Sequence, residues 1–158
     1  MANAPKFDWS QFKLRIFIKK PVSKVFEAWT NDKIVSKWFT EKTVIEPRRN
    51  GRIYFEWVAG DKMDAKIISI SKNRSFTFPF GSKDERVTVR FKKAGRGCVC
   101  ELHQYNMKTS PASKWHMHKG CAMGWTFFLT NLKAYLENGI DLRGHDRKRS
   151  YRQDYINS

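Results

Sequence analysis

A strand pattern near the start of the chain and a helix pattern near its end dominate the distribution of apolar residues. In "FKLRIFIKK" every second residue is apolar, which predicts a half-buried first strand. The residues on its buried face are Phe12, Leu14, Ile16 and Ile18. In "GWTFFLTNLKAYLENGIDLR", residues 124–143, apolar residues recur at helical spacing, with Asn131 on the polar side. We expect an amphipathic helix that Gly139 ends as its C-cap.

Two short helices are predicted directly after the first strand. Pro21 opens the segment "PVSKVFEAWT", in which apolar residues keep helical spacing, and proline suits the first turn of a helix. Asn31 or Asp32 is the expected N-cap of the second helix. The side chains expected to face inward from this region are Val22, Val25, Phe26, Trp29, Ile34, Trp38 and Phe39.

Residues 43–107 show the pattern of about six strands separated by turn residues, which is typical of an antiparallel meander. Asn50-Gly51 is a strong hairpin signal. The alternation shifts by one residue between Ile67 and Ile68, which predicts a β-bulge. The inner face of the final strand is expected to carry Cys98, Cys100, Leu102 and Gln104.

A long helix is expected from about Trp115 to Asn138. Its inward stripe begins with Trp115, His118 or Cys121, and Ala122. The element order predicts an α+β fold in which one curved antiparallel sheet wraps around the long C-terminal helix. Such curvature leaves a gap at the open end of the sheet, which the two short helices would close. This gap is the candidate site.

The length of 158 residues suits one domain with an apolar core. No run of about 18 apolar residues is present, so we expect no membrane span. The N-terminal sequence "MANAPKFDWSQFKL" lacks the apolar stretch of a signal peptide, which favours a cytoplasmic protein. The three cysteines are an odd number and are expected to be reduced.

Lys and Arg outnumber Asp and Glu by 31 to 15, which gives a formal net charge of +16. Such a charge suits nucleic acid, an anionic membrane surface or an acidic protein partner. Basic residues occur in every segment, and neither an interleaved Arg and aromatic motif nor a helix-turn-helix pattern accompanies them. We therefore expect a solvated basic surface whose partner is an acidic protein or chaperone, and no dedicated nucleic-acid site.

The cysteines and histidines invite a zinc hypothesis, because thiolate and imidazole are the usual zinc ligands. Their spacing argues against a metal site. Cys100 and His103 point to opposite faces of a strand, and His116 and His118 do not face each other on a helix. A nucleophilic pair of Cys121 or Cys100 with His118 stays open.

Other signals for chemistry are weak. No nucleophile elbow, P-loop or dinucleotide fingerprint is present, so we expect no cofactor. Glu56 and Asp64 lie on strands that could approach each other as an acid and base pair, although both are expected to face solvent.

Two segments, "PVSKVFEAWTNDKIVSKWF" and "GWTFFLTNLKAYLENGIDLR", together with the element order, resemble the START-like (SRPBCC, helix-grip) superfamily. Within it the chain is most similar to the branch of the activator of heat-shock protein 90 ATPase. The resemblance covers residues 10–143 as one helix-grip domain and leaves residues 144–158 as a basic, loosely docked tail. It implies a hydrophobic cavity between the sheet and the C-terminal helix, which relatives use for lipids, polyketides, hormones or other apolar molecules.

Carried over by position, the resemblance implies that apolar side chains from helices and strands line this cavity. They are Phe26, Trp29, Trp38, Phe39, Phe55, Trp57, Phe78, Phe80, Trp125, Leu129 and Leu132. Gln104, His118 or Tyr105 would orient a ligand there through a hydrogen bond. The chain has 12 Phe, 6 Trp and 5 Tyr, a surplus of aromatic residues that a ligand site would use.

Three functions from different classes are consistent with these patterns. The first is non-catalytic binding of a small hydrophobic ligand in the cavity. The second is a co-chaperone-like module that activates a chaperone ATPase and docks through its basic surface. The third is an enzyme of the cyclase or hydrolase kind found among distant relatives, which needs an ionisable group with a strongly shifted pKa inside the cavity.

Overall fold

The computed structural model describes residues 6–150 and 155–156. The chain begins with β1 (Phe12–Ile18), helix α1 (Val22–Thr30) and helix α2 (Asp32–Val35). Seven strands follow: β2 (Lys42–Ile45), β3 (Arg52–Glu56), β4 (Lys62–Lys66), β5 (Ser69–Ser71), β6 (Ser75–Pro79), β7 (Arg86–Ala94) and β8 (Gly97–Tyr105). Residues 151–154 and 157–158 of the predicted basic tail lie outside the described part.

The C-terminal helical region is continuous from residue 111 to residue 138. It consists of α3 (Pro111–Ser113), a π-helical segment (Lys114–Lys119) and α4 (Gly120–Asn138), and a short helix α5 (Arg147–Ser150) follows. Gly139 ends α4 in the left-handed conformation with φ of 68°, so the predicted C-cap is confirmed. No helix among the described residues combines the length and apolar character needed to cross a membrane.

The strands form two antiparallel sheets rather than the single predicted sheet. One has the order β1-β8-β7-β6-β5 and the other the order β2-β3-β4. The backbone N–H of Ile67 donates to Gly51 beside the smaller sheet, whereas that of Ile68 donates to Thr77 in the larger one. The shift in alternation at this point is therefore a passage between sheets and not a β-bulge. It also explains why one predicted strand is two.

The long helix lies across the larger sheet, with contacts to β1, and α1 packs against β7 and β8. The apolar faces of β1 and β8 turn toward these helices as predicted, and Ile18, Cys98, Cys100 and Leu102 are fully buried. The two short helices follow the first strand as expected, and Asn31 caps α2 by accepting from the Lys33 N–H. This arrangement confirms the predicted helix-grip fold.

The start of the helical region differs from the predicted stripe. Trp115 was expected inward, but 62% of its surface is exposed, whereas His118 is 5% exposed. Hydrogen bonds in a π-helix span five residues instead of four, so the segment Lys114–Lys119 rotates the following turns relative to an α-helix. The inward stripe therefore begins at His118.

The side chain of Asn131 joins α4 to the turn after α2 and to the chain after α4. Asn131 was assigned to the polar side of the helix, but it is fully buried. Its Nδ2 donates to the Trp38 carbonyl at 2.7 Å and to Asp141 at 3.0 Å, and its Oδ1 accepts from the Leu142 N–H at 2.7 Å. The side chain thus satisfies groups that α2 and the chain after α4 would otherwise leave unpaired.

Arg143 completes this connection from the chain after α4. Its guanidinium donates to the backbone carbonyls of Thr40 and Ser36 and forms an ion pair with Asp141. Burial tends to raise the pKa of Asp141, but hydrogen bonds from Arg143 and then His145 outweigh it and hold this pKa well below its usual range. Asp141 therefore remains a carboxylate that keeps Arg143 in place.

We expect Asn131→Ala to lower the free energy of unfolding by about 2–4 kcal/mol, because it removes the partner of the buried Trp38 carbonyl and of the part-buried Leu142 N–H. Urea unfolding followed by circular dichroism measures the change. Asn138→Ala is the matched control, since Asn138 is the same residue type, exposed, in the same helix. Equal effects of the two substitutions would contradict the role of Asn131.

Candidate functional site

Eight of the predicted cavity residues form one continuous group, here called the aromatic cluster. Its members are Trp29, Trp38, Phe39, Phe55, Trp57, Phe78, Phe80 and Trp125. They come from α1, from the turn after α2, from both sheets and from α4. The sequence patterns that direct each residue inward therefore meet between the sheets and the long helix.

Phe39 is the centre of the aromatic cluster. Its ring stacks on Trp125 with 5.0 Å between ring centroids and meets Phe55 edge-on at 5.2 Å. It also contacts Phe128, which was not predicted to belong to the site, at 4.8 Å. Offset stacked and edge-to-face rings are the favoured arrangements of aromatic pairs, so these contacts hold α4 against the turn after α2.

The aromatic cluster has a buried interior and a partly exposed rim. Six of its members are at most 2% exposed, whereas Trp57 and Phe80 are half-buried. The rings of Trp57 and Phe80 lie 6.0 Å apart, and Phe80 lies 4.9 Å from Trp125 of α4. The rim therefore lies where the smaller sheet, the larger sheet and the long helix meet.

The remaining predicted residues lie at different distances from this group. Leu129 and Leu132 are buried on α4 in the same core. The ring of Phe26 contacts Phe91, elsewhere in that core. His118 lies against the rings of Phe7, Trp9 and Phe12 and contacts the Gln11 carbonyl.

A buried chain of hydrogen bonds borders the aromatic cluster. The indole N–H of Trp125 donates to Gln104 Oε1 at 2.9 Å, and Gln104 Nε2 donates to Glu85 at 3.1 Å. Ser82 donates to the second carboxylate oxygen of Glu85 at 3.0 Å. Gly81 has φ of 88°, and a Cβ there would collide with this carboxylate. The predicted inward position of Gln104 thus holds, with both the oxygen and the nitrogen of its amide engaged.

Glu85 was not predicted, although it is only 1% exposed. It lies in the segment "FGSKDE", whose composition indicates an ordinary exposed turn. Nothing in the local sequence reveals the amide of Gln104, 19 residues away, that accounts for its burial. Tyr105, the third predicted orienting group, pairs with Arg86 on the opposite face of the sheet from Gln104.

One polar atom inside the aromatic cluster is unpaired. The indole N–H of Trp38 donates to the Ala28 carbonyl and that of Trp125 donates to Gln104. Nε1 of Trp29 is also buried, but it faces the Cys100 thiol, a weak acceptor, and makes no hydrogen bond among the described residues. A buried N–H without an acceptor costs about 1–3 kcal/mol, so this atom would gain from a ligand acceptor.

Two surface recesses lie outside the aromatic cluster. One of about 410 Å³ is lined by Thr30, Asn31, Asp32, Lys33, Ile45 and Pro47. The other, of about 380 Å³, is lined by Glu46, Asn50, Arg52, Asp64, Ala65 and Lys66. Both are bordered mainly by polar side chains, and neither reaches the aromatic rings. In this conformation the rings themselves occupy the space between the sheets and α4.

The thiols do not show the chemistry of a nucleophile. Burial raises the pKa of Cys98, of Cys100 and of Cys121, so each is a neutral thiol at neutral pH. His118, the predicted base, makes its ring contact with the Gln11 carbonyl. Among the described residues, no three His, Cys, Asp or Glu side chains are arranged to hold a metal ion.

The two carboxylates considered as an acid and base pair each bind a different partner. The Tyr54 hydroxyl donates to Glu56 and lowers its pKa, and Arg52 lowers the pKa of Asp64 through a bidentate hydrogen bond. Both groups are therefore ionised at neutral pH. Neither is a proton donor under those conditions.

We expect the three cysteines to react slowly with a thiol reagent such as 5,5′-dithiobis(2-nitrobenzoate) in the folded protein at pH 8, because the thiolate is the reactive form. All three should react rapidly in denaturant. The measurement is the absorbance time course under the two conditions. A thiol that reacts in the folded protein as fast as free cysteine would contradict this assignment.

Comparison with solved structures supports the fold. A Staphylococcus saprophyticus protein has 19% identity and a TM-score of 0.73, with 84% of this chain and 96% of that chain covered. The Aha1 protein of Colwellia psychrerythraea, solved as a dimer, has 20% identity and a TM-score of 0.71, with 82% and 97% covered. An HSP90 activator from Plasmodium falciparum has 19% identity and a TM-score of 0.66, with 80% and 96% covered.

None of the curated proteins compared with the chain matches it. The family model described as "Activator of Hsp90 ATPase homolog 1-like protein" matches residues 19–137, which includes every member of the aromatic cluster. That span is most of the chain. It contains the first of the two segments that carried the resemblance and residues 124–137 of the second. The chain therefore belongs to the family of proteins like the activator of Hsp90 ATPase homolog 1.

Proposed function

We propose that the chain binds a small apolar molecule that carries a hydrogen-bond acceptor, in the space now filled by the aromatic cluster. The observation that carries this proposal is the indole N–H of Trp29, which is buried among aromatic rings and meets no acceptor among the described residues other than the weakly accepting Cys100 thiol. An acceptor on the ligand would pair with that N–H while the rest of the ligand packs against the rings. The chemistry is binding and not catalysis.

The rim of the aromatic cluster is the proposed route for the ligand. Trp57 and Phe80 are half-buried, so their rings can turn outward at lower cost than the buried rings. Gly120 and Gly124 lie in the first turns of α4, where each glycine weakens a helix by about 0.5–1 kcal/mol relative to alanine. The π-helical segment precedes them. The start of α4 is therefore its least stable part, and this is the part that must move when the rim opens.

Opening the rim limits the affinity. A ligand that buries roughly 300 Å² of apolar surface gains about 7 kcal/mol at 25 cal/mol per Å². That gain corresponds to a dissociation constant of micromolar order before the cost of displacing rings is subtracted. Because a conformational change accompanies binding, association should be slower than for a preformed pocket.

The rim can be tested with the neutral fluorescent probe N-phenyl-1-naphthylamine. Trp57→Ala should weaken probe binding by about tenfold, because it removes a ring that packs against the ligand. Since this ring is half-exposed, its removal leaves a notch open to solvent and not an enclosed cavity. The matched control is Trp115→Ala, which removes an indole that is 62% exposed on the helical region. Fluorescence titration gives both affinities. Equal affinities for the two variants would refute the assignment of the rim.

A second candidate is a co-chaperone-like module. The family is named after an activator of Hsp90 ATPase, and two of the solved structures are named as Aha1 and as an HSP90 activator. The net charge of +16 suits an acidic partner. In this function the chain would bind an Hsp90-type chaperone through its basic surface and stimulate the chaperone's ATPase. The third function, an enzyme, gains no specific support from the ionisable groups described above.

The two candidates predict different salt dependence. Chaperone binding should weaken by about tenfold or more from low to physiological ionic strength, since exposed charges are screened over about 8–10 Å. Binding of the neutral apolar probe should change little over the same range. Co-precipitation with a purified Hsp90-type chaperone, together with its ATPase rate, measures the first. A complex that is insensitive to salt, or unchanged ATPase activity, would count against the co-chaperone function.

A further inference from the structure

The register of the larger sheet gathers basic residues from distant parts of the sequence onto its outer face, the face turned away from α4. We call this surface the basic face. Its cations, by pairing across β1, β8 and β7, are Lys13, Arg15, Arg86, Arg90 and Lys92. β1 and β7 are about 70 residues apart in sequence, but they flank the same strand here, because β8 lies between them.

The basic face carries little compensating negative charge. Glu101 is the carboxylate that pairs on this face of the described strands β1, β7 and β8. It lies 2.6 Å from Arg15 and 3.8 Å from Arg90. Within the described residues, Lys13 and Lys92 form no ion pair. Both are exposed. Lys13 and Lys92 are therefore available to an anionic partner, while Arg15 and Arg90 share one carboxylate between them.

Among the described residues, three cations of the smaller sheet have acidic partners, unlike Lys13 and Lys92. There, Lys42 and Lys62 both approach Glu56, and Arg52 pairs with Asp64 at 2.8 Å. Lys42, Lys62 and Arg52 thus each have an acidic neighbour on the same surface.

The central strand of the basic face adds two rings. His103 and Tyr105 have ring centroids 4.8 Å apart and planes tilted by 35°. The Tyr105 hydroxyl lies 3.3 Å from the Thr88 hydroxyl on the neighbouring strand, so this ring leans across the sheet. Burial lowers the pKa of His103, and the charges of Lys13 and Arg90 lower it further, which is consistent with a positive potential here.

We propose that the basic face binds single-stranded nucleic acid. Lys13, Arg15, Arg90 and Lys92 contact phosphates, and a base stacks on Tyr105 beside His103. Single-strand binding surfaces combine cations that follow the backbone with aromatic rings that stack on bases. An exposed sheet that carries aromatic residues on its central strands is one form of such a surface. An acidic peptide has carboxylates for the cations but no bases for the rings.

This site is independent of the aromatic cluster, which lies on the other side of the larger sheet. The sequence pattern predicted no dedicated nucleic-acid site, because cations and aromatic residues are not interleaved along the chain. Strand pairing instead places the cations of β1 and β7 beside the aromatic residues of β8. Only the pairing of Arg15 and Arg90 with the same residue of β8 brings the two basic segments together.

The test is fluorescence anisotropy with a labelled single-stranded RNA of roughly ten nucleotides and mixed sequence. The logarithm of affinity should fall with the logarithm of salt concentration with a slope of about −3, given about 0.7 per phosphate contact on single strands. The double variant K13Q/K92Q should bind about tenfold more weakly and with a shallower slope. The matched control K42Q/K62Q removes two exposed lysines from the smaller sheet and should bind within about twofold of the parent chain.

Stacking is tested separately from charge. Tyr105→Leu should weaken RNA binding by about tenfold without changing the salt slope, whereas Tyr54→Leu on the smaller sheet should leave affinity unchanged. Thermal melts establish that each variant is folded, and the exposed lysine variants keep the test valid if Tyr105→Leu is unstable. Equal loss in the two lysine pairs would overturn the proposal. A labelled oligoglutamate that binds as tightly as RNA, with no effect of Tyr105→Leu, would assign the face to an acidic protein.

Discussion

Phe39 lies where two helices meet the smaller sheet, and its ring contacts aromatic rings from α1, β3 and α4. Removing such a ring from a packed core costs about 3–5 kcal/mol, a large part of the stability of a small domain. Because Phe39 directly follows the short α2 segment, its packing also fixes where the chain enters β2. The position of the smaller sheet relative to α4 depends on this contact.

Polar groups in the same core determine how the aromatic cluster is held. Asn131 and Arg143 tie α4 and the chain after it to the turn that carries Trp38 and Phe39. On the opposite border, Gln104 connects Trp125 to Glu85. Buried polar networks specify one arrangement of a core when every member is paired. The indole N–H groups of Trp38 and Trp125 both have acceptors, whereas that of Trp29 makes no hydrogen bond among the described residues. Trp29 is therefore the buried tryptophan of the aromatic cluster that this network does not hold.

The larger sheet separates an apolar face from a charged face. Its inner face supplies aromatic residues to the interior, and its outer face presents cations around Glu101. The alternation of side chains along a strand makes this separation possible, because one segment contributes to both faces. Members of the same family can therefore change the surface without altering the core. The membership of the chain in that family accordingly establishes the fold more firmly than the partner.

The sequence by itself determined the features that depend on near neighbours. The faces of β1 and β8, the caps of α2 and α4 and the inward aromatic residues follow from spacing and turn chemistry, which act over a few residues. Tertiary structure decided the rest. The partner of Asn131 is 93 residues away, Glu85 is buried by a remote amide, and the basic face exists only through strand pairing. A polar side chain is buried where a distant group satisfies it, and local patterns carry no record of that group.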